Sequence, residues 1–138
     1  MDPLSILQPM SALALWTLAV LLLVPIRRFR AASQRQVTAE DFRLGESDRV
    51  PHFVSLANRN LMNLLELPVL FYALCLALFV TQGVDRFFLY AAWVYCALRV
   101  VHSLIHVTYN KVMHRLLVFA LSNLVLTVMW IRFVQQIF

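Results

Sequence analysis

Four long apolar runs, at about residues 11–26, 61–80, 87–107 and 116–134, constrain this chain more than any other feature. A helix of about 20 residues rises about 30 Å, the thickness of a bilayer's hydrocarbon core. Inside lipid every backbone N–H and C=O must find its partner within the protein, which leaves only helices and closed barrels. A barrel needs strict period-two alternation and many tight turns. The runs do not alternate, and glycine occurs only at Gly45 and Gly83. Composition agrees: 62% of residues are apolar and 14% charged, against about 45–50% and 25% in soluble domains. The expectation is a single domain over residues 1–138, an all-α integral membrane four-helix bundle with the lipid bilayer as its first partner.

The charged residues sort by loop. Arg27, Arg28, Arg30, Arg35, Arg43 and Arg49 fall between the first two runs, and Lys111 and Arg115 between the last two. The turn between the second and third runs carries only Arg86, and Arg132 lies near the C-terminus. By the positive-inside rule, loops one and three are expected in the cytoplasm and both termini outside, in the inner membrane if the source is bacterial. The formal charge of +5 is read as topology and not as a nucleic-acid surface. Only Asp2 precedes the first run, and the arginines follow it. That order suits a retained anchor better than a signal peptide. The stretch 27–59 is the one sizeable polar segment, a solvated loop on the membrane surface or a lid over a site between helices. Cys75 and Cys96 sit inside apolar runs and read as small core residues.

Two runs contain residues that lipid excludes. Arg59, Asn63 and Glu66 fall at i, i+4 and i+7; Arg99, His102 and His106 fall at i, i+3 and i+7. Each set lies on one helix face. An arginine near the centre of a span costs about 2.5–3.5 kcal/mol on insertion scales. The two helices must run antiparallel, which places Glu66 roughly 8 Å and Arg99 roughly 12 Å from the same end at 1.5 Å per residue. An ion pair or a shared network between them is expected, beside a bend at Pro68, which removes the bond to the Leu64 carbonyl. Such a network can glue helices together or form a ligand site. His102 and His106 lack the carboxylate of an HExxH pattern, so no metal is expected.

At these residues the chain resembles the MAPEG family, the membrane-associated proteins of eicosanoid and glutathione metabolism. The matching pieces are Arg59-x3-Asn63-x2-Glu66 with a nearby proline, and Arg99-x2-His102-x3-His106 followed by Arg115. The stretches NLLELPVLFYALC and ALRVVHSLIHVTYNKVMHR look most like bacterial members without an assigned substrate. The resemblance implies a homotrimer with a site between subunits and glutathione as co-substrate. It assigns Arg59, Asn63, Glu66, Arg99 and His102 to glutathione binding and Arg115 to stabilising the thiolate. Where this chain has His106 the eukaryotic enzymes carry a tyrosine, so His106 is expected to take over that hydrogen bond. Tyrosine also often replaces Leu67, and arginine Leu56, in those enzymes.

The expected function is a membrane glutathione-dependent transferase or peroxidase acting on a lipophilic electrophile or hydroperoxide. A non-enzymatic lipid-binding or scaffold protein of the same fold is the alternative, and a polar network serving only assembly is a third.

Overall fold

The computed structural model describes residues 1–138, and four helical segments in it are long and apolar enough to cross a membrane. A 3₁₀ turn, Pro3–Ile6, opens the chain, with the Asp2 carboxylate accepting from the Leu4 N–H at 3.0 Å. It runs into α1, Leu7–Ser33. At about 1.5 Å per residue α1 is longer than a hydrocarbon core is thick, so Arg27, Arg28 and Arg30 ride on turns that extend beyond the apolar stretch.

The second span is two helices, α2 (His52–Leu65) and α3 (Pro68–Val80). The bend expected at Pro68 is a full break. Proline has no N–H and stands at the first position of α3, while Glu66 takes up the distortion with ψ at −99°. The chain crosses the gap on short i→i+3 bonds, Val69 N–H to Glu66 O at 3.2 Å and Leu70 N–H to Leu67 O at 3.0 Å.

A tight turn returns the chain into α4, Arg86–Val107. Gln82 takes a left-handed φ of 54°. Gln82 then donates to the Phe79 carbonyl at 3.2 Å and Gly83 to that of Leu78 at 3.0 Å, which satisfies two carbonyls at the end of α3. Asp85 caps α4, accepting from the Phe88 N–H at 2.9 Å. Its other oxygen accepts from Arg132 at 2.6 Å, and that guanidinium lies 4.3 Å from the Phe87 ring centroid. Arg132 belongs to α5, Val112–Ile137, so one carboxylate starts α4 and ties the far end of α5 to it. Asp85→Ala is expected to cost about 1–2 kcal/mol in detergent unfolding, mostly from the lost cap. Asp85→Asn keeps a capping oxygen and is expected to lose less than half of that; an equal loss would show that the ion pair, not the cap, stabilises this end.

α4 is the central helix, in contact with α1, α2 and α5. Phe88, Ala92, Tyr95, Arg99, His102 and His106 recur every three or four residues on its buried side. Towards the α3–α4 turn this face meets apolar groups, with Tyr95 stacked on Phe71 at 4.5 Å between centroids. Leu18, Leu22, Val94 and Leu124 point outward.

At the opposite end, Arg27 joins three helices. Its guanidinium donates to the carbonyls of Phe53 in α2 at 2.6 Å and of Val107 at the end of α4 at 3.1 Å. The first and third loops therefore share one end of the bundle. The loop after α1 is folded onto that end by a small core of Ala31, Val37, Val50 and Val54. The Asp41 carboxylate organises it, accepting from the Ser47 hydroxyl at 2.7 Å and from the Thr38 N–H at 2.8 Å. These bonds hold its pKa below the usual carboxylate value.

Candidate functional site

The polar half of α4 meets α2 and α5 at the loop-one end. Arg99 and Ser103 are fully buried and His102 and His106 nearly so. Asn60 of α2, also fully buried, donates to the Ser103 hydroxyl at 2.6 Å.

Arg99 donates through Nη2 to the backbone carbonyl of Asn63 at 2.6 Å. That carbonyl is available because of the break. In a continuous helix it would accept from the N–H of Leu67, but α2 ends at Leu65. Pro68 thus creates an acceptor inside the bundle where a helix would have had none. The Asn63 side chain turns back to its own helix, donating to the Arg59 carbonyl at 2.9 Å.

The ion pair expected between Glu66 and Arg99 does not form within the chain. The three ion pairs present are Arg28–Glu46, Arg43–Glu40 and Arg132–Asp85. Arg59 in α2 and Glu66, just past its end, are exposed, while Arg99 points inward. Arg99 keeps two buried N–H groups, Nε and Nη1, without a partner in the chain.

α5 closes the site with Arg115 and Phe119. The Phe119 ring lies 5.5 Å from the Arg99 guanidinium and 5.7 Å from the His102 ring, so it separates Arg99 from the outside. Arg115 Nη1 donates to Asn110 Oδ1 at 2.8 Å and lies 3.3 Å from His106 Nε2. A guanidinium only donates, so that imidazole nitrogen is the acceptor. A cleft of about 210 Å³ opens here, lined by Asn63, His102, Val112, Arg115, Leu116 and Phe119.

Of the residues singled out in the sequence, the structure brings Asn63, His102 and Arg115 to one cleft, with Arg99 directly behind and His106 at the back of Arg115. Arg59 and Glu66 stand outside it. The polar groups that periodicity alone did not select are Asn60, Ser103 and Asn110. Asn60 follows Val54 and Ala57 and precedes Leu64 on the buried face of α2, a spacing that carried the signal. Asn110 is a turn residue, and no pattern marked it.

Arg115 borders the cleft with Nε and Nη2 unpartnered in the chain, and such N–H groups suit an anion, whereas the unpartnered N–H groups of Arg99 are buried behind Phe119. The cleft, about 210 Å³, is smaller than the 300–1,000 Å³ usual for small-molecule sites.

A family model described as the MAPEG family matches residues 6–135, nearly the whole chain. No curated protein and no solved structure matches it.

Proposed function

The chain belongs to the MAPEG family, and from that membership we propose that it is a membrane glutathione-dependent transferase or peroxidase, working as a homotrimer. The observation that carries the reading is Arg115. Its guanidinium borders the cleft in the first turn of α5, with Nη1 held by the protein and Nε and Nη2 free of partners in the chain.

A thiol with a pKa of about 8.5 is mostly protonated at neutral pH, and a fixed cation beside it favours the thiolate. The sulfur then attacks an electrophilic carbon reached from the bilayer, forming a C–S bond as the leaving group departs. With a hydroperoxide the sulfur attacks the outer oxygen, forming an S–OH group as the O–O bond breaks and the alkoxide leaves as the alcohol. The thiol of a second glutathione then displaces water from the S–OH group to form the disulfide. Asn63 orients the peptide at the cleft, Arg99 meets its carboxylate when the Phe119 ring turns aside, and His102 borders the sulfur's side.

Two exposed groups support the trimer. Arg59 in α2 and Glu66 at the break after it are exposed, within a helical segment apolar enough to span the bilayer, where charge facing lipid is costly. A neighbouring copy covers them and completes the cleft. The end bearing loops one and three faces the cytoplasm by the positive-inside rule, and if the source is bacterial the membrane is the inner one.

One observation favours the non-enzymatic alternative. An entirely apolar groove of about 630 Å³ runs between α1 and α4, lined among others by Trp16, Trp93 and Val100, and it suits a lipid chain without any chemistry. The deciding experiment is glutathione binding to the purified protein, read by thiolate absorbance, with conjugation of a chloronitrobenzene. The expected result is saturable binding and turnover. No binding at millimolar glutathione overturns the enzyme reading, and lipophilic ligand binding indifferent to glutathione supports the alternative.

A further inference from the structure

Arg115 stands at the wrong end of its helix. It donates its backbone N–H to the Lys111 carbonyl, within the first turn of α5. A cation there faces the positive end of the helix dipole, a loss of roughly 0.3–1 kcal/mol at exposed sites. Left alone, a flexible arginine in that field swings out to water. Two acceptors prevent it. Asn110 Oδ1 at 2.8 Å and His106 Nε2 at 3.3 Å both take Nη1, one from the turn before α5 and one from the last turn of α4. Burial fixes His106 and backbone geometry fixes Asn110. His106 is 2% exposed. Asn110 holds a left-handed φ of 48° while its N–H donates to the Ile105 carbonyl at 2.8 Å.

We propose that Asn110 and His106 are positioning residues for Arg115: together they hold Nη1 against the protein and leave Nε and Nη2 to the thiolate. The proposal rests on the glutathione reading above for its catalytic consequence, but not for its geometry. It also gives Asn110 a double assignment. Asparagine is one of the few residues other than glycine that enters the left-handed region readily, and its short amide reaches Arg115 from there.

That backbone makes a clean test possible. Asn110→Gly keeps the left-handed turn and removes only the amide. In the full-length protein it is expected to lower kcat for chloronitrobenzene about tenfold through misplacement of Arg115, with KM for glutathione within about twofold. The pH at which bound glutathione gives up its proton is expected to rise by about one unit, the equivalent of the same factor. His106→Leu is expected to move both in the same direction, and His106→Gln, which keeps an acceptor, to recover most of the loss. Hindered rotation of the Arg115 guanidinium, read by nitrogen NMR on ligand-free protein, is expected to be lost in Asn110→Gly. Unchanged rotation or an unchanged thiolate titration in Asn110→Gly overturns the proposal, as does a loss confined to KM or to thermal stability. If the wild type binds no glutathione, the functional reading falls, and the rotation measurement still decides whether Asn110 and His106 hold Arg115.

Discussion

Arg115→Ala is expected to reduce conjugation by about 100- to 1,000-fold, the usual loss when one preorganised donor to developing or bound negative charge is removed. The thiol of bound glutathione should return towards its free value of about 8.5, so thiolate absorbance at neutral pH should disappear. The fold should be little affected, because Arg115 is only half-buried and both its partners are neutral acceptors. Stopped-flow measurement of thiolate formation, alongside thermal unfolding, separates the two effects. Full activity in the variant would remove Arg115 from the chemistry. Loss of activity together with loss of folding would make it structural.

Arg99→Met should separate stability from function in the opposite sense. Arg99 is fully buried with one hydrogen bond to a neutral carbonyl, no ion pair, and two N–H groups unpartnered in the chain. Exchanging buried charge for an apolar side chain of similar volume is often neutral or stabilising by about 1–4 kcal/mol. The lost bond to Asn63 offsets part of that gain. The ligand-free variant is therefore expected to unfold at a temperature no lower than the wild type, and its glutathione affinity to fall steeply. Truncating one member of a buried charge pair costs about 2–5 kcal/mol, a factor of roughly thirty to several thousand in Kd. Thermal unfolding and equilibrium glutathione binding read the two effects separately. A less stable ligand-free protein would mean that Arg99 holds the bundle together. Retained affinity would place it outside the binding site.

The polar stripe of α4 was legible in the sequence because residues 99, 102 and 106 share a helix face whatever surrounds them. Its partner stripe on α2 behaved differently. Arg59 and Glu66 look outward, Asn63 stands at the edge of the cleft, and the inward face of α2 carries Asn60. Periodicity reports that residues lie together; it does not report which way the helix is turned. The mispairing of Glu66 with Arg99 follows from this. Two depths along the bundle axis agreed, and the rotation of α2 did not. Pro68 marks a local disturbance in the sequence, but its effect on Arg99 is invisible there, since the acceptor it frees is a backbone carbonyl common to every residue.

What the sequence determined by itself is what depends on local content: the membrane as solvent, four helical crossings, and a charged stripe buried in the third. Run length against bilayer thickness and the 3.6-residue period suffice for these. Only the tertiary structure decided that Arg27 bridges Phe53 and Val107, that Arg99 takes the Asn63 carbonyl, and that Asn110 and His106 converge on Arg115. Each of these contacts depends on helix rotation, on the break before Pro68, or on a left-handed turn residue. Those are set by packing among segments far apart in the chain, and no local pattern encodes them.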